Sequence, residues 1–238
     1  MKAQILRVAT EADTASEAAR LIGAHLNAER GALVTLAAGF TPLAAYERLV
    51  AMQSRGEVNL KKVRYVGLDE WVGLGESDEG SCIHTMNGAF YKPAGIPREN
   101  LCVFDGTANE PLGEAQRLNA FMEASTGLSL AVLGIGLNGH VGFNEPGDPL
   151  PGQFSLTALS DVTQAAGRKY FSGKAAPAQG ATLTLHALTE AKRVIVIATG
   201  AHKRDVVKTV LAGESSLPAA AFLEHPGALY IFDEACCP

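Results

Sequence analysis

Short apolar runs alternate along the chain with stretches whose apolar positions recur every three or four residues. The short runs predict strands at Ala32 to Ala38, Val63 to Leu68, Leu101 to Phe104, Leu128 to Gly134, Val194 to Thr199 and Leu229 to Phe232. Several are apolar on both alternating faces, as expected of strands covered by helices on both faces. The longer periodic stretches predict helices. The first runs from Glu11 to Glu29, with Ala18, Leu21, Ile22 and Leu26 on one face. A second follows Thr41-Pro42, with Thr41 as cap and Pro42 in the first turn. A third covers Pro111 to Ser125, and a fourth begins after Gly200 with Val206, Val207, Val210 and Leu211. Strand and helix in alternation predict an α/β fold: a mostly parallel sheet with helices on both faces, Rossmann-like and three-layered. No repeat or Gly/Ser linker interrupts the pattern, so residues 1–238 read as a single domain.

Composition narrows the function classes. Lys and Arg total 20 against 25 Asp and Glu, a net charge of -5 that gives no general attraction to nucleic acid or to an anionic membrane. A site for a small anion remains open, because it needs only two or three local cations. The N-terminal stretch lacks a signal-like apolar core, and no apolar run reaches the ~20 residues of a membrane span. A soluble, cytoplasmic protein is the expectation. Cys82, Cys102, Cys236 and Cys237 form no C-x-x-C pair and no His cluster has zinc spacing, which predicts reduced thiols and no metal site.

In folds of this class ligands bind at the carboxyl ends of strands, and the candidate chemistry gathers there. After the first predicted strand come Gly39, Phe40 and Thr41, where a helix N-terminus offers free amides to an anion. After the second come Asp69 and Glu70 beside Trp71, the chain's one tryptophan. A carboxylate there serves as a general base if it is shielded from water. The fourth runs into AVLGIGLNGHVGFNEPG, whose Gly134, Gly136 and Gly139 have the G-x-G-x-x-G spacing of a dinucleotide loop. The segment after Gly139 is rich in Pro and Gly rather than helical, and the motif does not close the first βα turn. That argues against a dinucleotide. The loop instead carries Asn138, His140 and Glu145, an imidazole with a carboxylate partner close by. Arg168 and Lys203 are the remaining candidate cations, with Lys203 again following a strand.

Taken together, GFTP, LDEWVGL, GIGLNGHVGFNEPG and TGAHK resemble the glucosamine-6-phosphate deaminase (isomerase) family, including its galactosamine-6-phosphate branch. The match runs in order over nearly the whole chain. LNGH-x4-NEP with LDE(W/Y)VGL is its specific part. The wider superfamily includes 6-phosphogluconolactonase, whose corresponding loop reads DGH without NEP. The resemblance implies Asp69 as the base between C2 and C1 of an open-chain amino-sugar phosphate. It also implies His140 as the ring-opening group, supported by Glu145 and Asn138. Gly39, Phe40 and Thr41 would hold the phosphate with Arg168 and Lys203, and no metal, nucleotide or flavin would be needed. Position 138 is often Asp in the family, and Phe40 stands where a glycine is common. Hexamers exist in the family, so a homo-oligomer is among the forms it implies. Two other readings share the fold: a lactonase using His140 to activate water, and a non-catalytic sugar-phosphate sensor. The configuration at C4, gluco or galacto, stays open. Residues 144–171, with few periodic signals, read as a lid over the sugar.

Overall fold

The computed structural model describes residues 2–29, 31–147, 149–171, 176–214 and 216–238. The chain order is β1 (Gln4–Val8), α1 (Glu11–Ala28), β2 (Leu33–Leu36), α2 (Phe40–Ser54), β3 (Arg64–Gly67), β4 (Asp69–Trp71), α3 (Cys82–Met86) and β5 (Leu101–Cys102). It continues with α4 (Pro111–Glu123), β6 (Leu130–Gly134), β7 (Phe154–Ala158), α5 (Asp161–Gly167), β8 (Gln179–Leu183), α6 (Leu185–Thr189), β9 (Arg193–Ala198), α7 (Arg204–Leu211) and β10 (Ala228–Asp233). Seven strands form one parallel sheet in the order β1-β10-β9-β6-β2-β3-β5.

The two-residue period of the strands sorts their side chains into two cores. Along β6, Ala131 and Leu133 face one side, Leu130 and Val132 the other. β9 divides likewise into Val194, Val196 and Ala198 against Ile195 and Ile197. α4, α6 and α7 cover the first side with Leu118, Leu188 and Val207. α1, α2 and α3 cover the second with Ile22, Leu49 and Met86. The expected three-layer α/β architecture is therefore present.

Sheet order also fixes where a ligand crevice opens. From β2 the chain moves outward through β3 to β5, then returns to β6 on the other flank of β2 and moves away through β9 and β10. Neighbouring β2 and β6 thus send their chains in opposite directions. That reversal leaves a crevice at their carboxyl ends.

Four strands escaped the sequence pattern. β1 is a half-exposed edge strand, and β4 is only three residues long. β4, β8 and β7 form a small antiparallel sheet, with Asp69 opposite Thr182 and Trp71 opposite Gly180. Leu68 alone separates β3 from β4, and its carbonyl accepts the Leu183 N–H at 2.7 Å. The chain therefore passes from one sheet to the other at the residue before Asp69. The segment read as an element-poor lid contains β7 and α5. The reading of Thr41 as a helix cap is corrected. Gly39 occupies the cap position, no side chain caps this helix, and Thr41 lies inside it. Pro42 is tolerated in the first turn because its missing N–H would have no intrahelical partner.

The turn after β4 is held by a close backbone approach. The Gly73 N–H donates to the Gly106 carbonyl at 2.6 Å, and a Cβ at Gly106 would overlap the carbonyl oxygens of Leu74 and Trp71. Gly106→Ala is expected to lower stability by about 1–3 kcal/mol through overpacking, read as a lower melting temperature by circular dichroism. Gly88, with open space around its Cα, provides the control: Gly88→Ala should stay within about 0.5 kcal/mol of the parent. Equal melting temperatures for the two variants would contradict the packing requirement at Gly106.

Candidate active site

The ends of β2, β3, β6 and β9 converge on one cavity of about 570 Å³, within the usual range for small-molecule sites. Asp69, His140, Gly39, Phe40, Thr41 and Lys203 all line it.

Asp69 and Glu70 are successive strand residues, so they point to opposite faces. Asp69 is partly accessible from the cavity, while Glu70 is 2% exposed. The Glu70 carboxylate is surrounded by donors. Its Oε1 accepts the N–H groups of Trp71 at 2.8 Å and Cys82 at 3.0 Å, and its Oε2 accepts the Ser81 hydroxyl at 2.8 Å and the Ile83 N–H at 2.9 Å. Burial pushes the Glu70 carboxyl above its ordinary value, and these four donors offset part of the rise. Asp69 is pushed up to about 7, first by burial and then by the negative charge of Glu70, with a hydrogen bond to Cys82 acting in the opposite direction. A carboxylate with that value is a far stronger base than an exposed aspartate near 3.9.

On the facing wall, four polar groups orient His140. Asn138 donates from Nδ2 to Glu145 Oε2 at 2.8 Å, which turns its Oδ1 toward the imidazole, 2.7 Å from His140 Nδ1. An amide oxygen only accepts, so the neutral ring carries its proton on Nδ1 and its basic nitrogen is Nε2. The Thr163 hydroxyl lies 3.0 Å from the same Nδ1 and also donates to Glu145. The Ser160 N–H closes the set on Glu145 Oε1 at 3.2 Å. Burial raises the Glu145 carboxyl, but the donors Thr163 and Asn138, the His140 charge and the Ser160 amide bring it below its ordinary value. An ionised Glu145 fixes Asn138, and Asn138 fixes the ring.

The glycines of this loop have separate reasons. A Cβ at Gly136 would overlap the His140 ring, so the imidazole lies flat against that backbone. Gly139 and Gly142 have φ of 84° and 57°, which favour glycine. Gly134 meets nothing within 4 Å and is under no such demand.

The third wall is the N-terminus of α2. Lys203 stands beside it and donates from Nζ to the Ile135 carbonyl at 2.6 Å, which ties the β9 end to the β6 end. Tyr170, in a short 3-10 turn after α5, stacks on Phe40 with ring centroids 4.7 Å apart, and its phenol oxygen accepts the Phe40 N–H. Trp71 packs edge-on against Phe143 and Phe171, seating this turn on the small sheet. Arg168 begins the same turn but is exposed and does not line the cavity.

Sequence reasoning missed Glu70's four-donor clamp, Ser160, Thr163 and Tyr170. Only Ser160 and Thr163 left a signal: Ser160 caps α5 by accepting the Thr163 N–H, a Ser-x-x-Thr start that the surrounding Gly and Pro obscured. Among the described residues, no group of three or more His, Cys, Asp or Glu side chains could hold a metal ion. No helix there is long and apolar enough to cross a membrane.

Residues 7–231 match the family model for glucosamine-6-phosphate isomerases/6-phosphogluconolactonase. A glucosamine-6-phosphate deaminase of Lachnoclostridium phytofermentans is 31% identical over 237 residues, spanning 98% of this chain and 99% of its own. Another from Shewanella loihica is 32% identical over 235 residues, spanning 98% and 88%. Among solved structures, a monomeric glucosamine-6-phosphate deaminase superposes with a TM-score of 0.93 at 25% identity, covering 98% of each chain. The 6-phosphogluconolactonase of Thermotoga maritima shares the fold, with a TM-score of 0.80 at 20% identity over 98% of this chain and all of its own. By sequence and by fold, the chain belongs to the glucosamine-6-phosphate isomerase/6-phosphogluconolactonase family.

Proposed function

We propose that the protein converts a 2-amino-2-deoxyhexose 6-phosphate, glucosamine 6-phosphate or its C4 epimer, and water to the ketohexose 6-phosphate and ammonia. The observation that carries this reading is the Asp69 carboxylate, next to buried Glu70, in the same cavity as His140 and the α2 N-terminus, where burial raises it toward neutrality. The deaminase relatives, matched over most of their length, support it as well.

The family resemblance and the arrangement of the cavity support a role for each residue. The phosphate is held by the amides and hydroxyl at Gly39, Phe40 and Thr41 and by Lys203, so the phenol oxygen of Tyr170 yields the Phe40 N–H when substrate enters. Arg168 would have to turn inward to join them. His140, basic at Nε2, takes the C1 hydroxyl proton and returns it to the ring oxygen, opening the pyranose. Asp69 then removes the C2 proton, made acidic by the C1 carbonyl, and delivers it to C1 of the enolamine. The resulting C2 imine adds water and expels ammonia. Binding the phosphate at a fixed distance from Asp69 holds the flexible open-chain form in a reactive arrangement.

Ammonia release measured with each epimer tests the reading directly. One sugar is expected to release ammonia, and Asp69→Asn should lower kcat by about 10²-fold or more. No release from either sugar, with hydrolysis of 6-phosphogluconolactone instead, would overturn it. Asp69 works only when ionised. Its raised value therefore means that kcat/KM falls about tenfold per pH unit below pH 7. A profile flat from about pH 5 to 8 would contradict that role. Asn138→Ala removes the link between Glu145 and the ring, and is expected to lower kcat on the order of tenfold or more with little change in KM. An unchanged kcat would remove Asn138 from the mechanism.

A further inference from the structure

One polar group against Asp69 has no part in the proposed reaction steps. Cys82, the first residue of α3, lines the cavity beside Asp69. Its place is fixed by the Glu70 carboxylate, which takes the Cys82 N–H at 3.0 Å and grips the residues on either side through Ser81 Oγ and the Ile83 N–H. Ser81 in turn accepts the His84 N–H at 3.2 Å and so starts the helix there. The clamp holds Cys82 next to Asp69, with which it lines both the main cavity and a small neighbouring pocket, and a hydrogen bond between thiol and carboxylate is among the causes that shift both groups.

We infer that Cys82 is a positioning residue for the base: its S–H donates to one carboxylate oxygen of Asp69 and leaves the other turned to the sugar. The inference rests on the reading of Asp69 as the base. Charge sets the direction of donation. Burial, together with the negative charges of Asp69 and Glu70, pushes the thiol well above its ordinary value. It stays protonated wherever the enzyme works, so it is a donor and a poor nucleophile. The other cysteines lack this relation: Cys236 donates inward to the Ala198 carbonyl at 3.2 Å, and Cys102 lies against Arg117.

The S–H bond acts on the base in two ways. It selects one rotation of the carboxylate, which a lone acid on a cavity floor would not hold. It also stabilises the ionised form, opposing the rise caused by burial and by Glu70. Other groups facing Asp69 are Glu70 on β4, the phenols of Tyr170 from the 3-10 turn and Tyr46 from α2, and His140 across the cavity. The phenols stay neutral over the working range, since burial raises Tyr170 to about 12 and Tyr46 well above its ordinary value. Glu70 and His140 are common to the parent and its Cys82 variants, so a change between them reports the thiol.

The test compares the parent, Cys82→Ala and Cys82→Ser, each confirmed folded by circular dichroism, through kcat/KM against pH. Cys82→Ala is expected to move the acid limb upward on the order of one pH unit and to lower kcat several-fold. Cys82→Ser, which restores a donor, should bring the limb back to the parental position or below. A readout independent of turnover is the infrared S–H stretch, assigned as the band missing from Cys82→Ala. It should shift to lower frequency as Asp69 ionises near pH 7, and the shift should vanish in Asp69→Asn. Acid limbs that coincide in all three proteins, or a stretch indifferent to pH, would overturn the inference. Absence of ammonia release from the parent would instead count against the proposed reaction, with the infrared titration still deciding the hydrogen bond.

Discussion

A buried carboxylate with four donors is the constraint on which the rest of the site depends. Leaving Glu70 uncompensated in the interior would cost several kcal/mol. The local chain is arranged so that this does not happen. Trp71 N–H belongs to its own strand, while Ser81, Cys82 and Ile83 belong to a segment more than ten residues on. Satisfying one charge therefore draws two stretches of chain together and fixes the start of α3 against β4. The same charge acts through the strand on its neighbour. Asp69 and Glu70 cannot both be comfortable as anions so close together and so far from water, and the charge of Glu70 adds to burial in raising Asp69. A structural anchor and a tuned base are in this sense one feature.

The second wall shows a similar economy with different chemistry. Glu145, Asn138 and His140 form a relay in which each hydrogen bond leaves the next group one option. The carboxylate accepts, so the amide presents its NH₂ to it. The amide oxygen accepts, so the imidazole presents Nδ1–H. An Asn at 138 suits this better than its lack of an ionisable proton suggests, because it bridges a carboxylate and a ring without adding a second negative charge. Ser160 and Thr163, from the start of α5, close the relay and tie the His140 loop to a segment that lines the cavity. The parallel sheet contributes rigidity: loops leaving β2, β3, β6 and β9 are anchored at strand ends and meet where β2 and β6 part. Electrostatic groups held this way need little reorganisation when charge develops in the substrate.

Much of this is legible in the sequence for a physical reason. Central strands carry apolar residues on both faces and helices have a one-sided apolar stripe, so both patterns survive without knowledge of contacts. Asp69, His140, Lys203 and the Gly39–Thr41 turn stand out because they come just after strands, and strand ends are where this fold binds ligands. The misses have equally definite causes. β4 has only three residues, β8 contains Gly180 and Ala181 and does not alternate, and β7, although Phe154, Leu156 and Ala158 alternate with Ser155 and Thr157, is a five-residue run that follows a Pro/Gly-rich stretch. The Gly136 requirement comes from an imidazole lying on its backbone, a contact that no spacing rule contains. Glu70 reads as a second solvated acid beside Asp69, because its donors come from a distant stretch. Thr41 reads as a cap because it precedes Pro42, but the free turn at Gly39 starts the helix earlier. Arg168 rests on resemblance alone, and it lies exposed at the start of the turn that delivers Tyr170 to the site.

The proposed reaction requires Asp69 to be a shielded base poised near neutrality. The direct measurement is a ¹³C NMR titration of side-chain carboxyl carbons in protein labelled at aspartate, with Asp69→Asn to identify the resonance. One aspartate should titrate with a midpoint of about 7 and be missing from the variant. If the resonance lost in Asp69→Asn titrates instead near the ordinary value of about 3.9, the site is open to water, and Glu70 does not tune it.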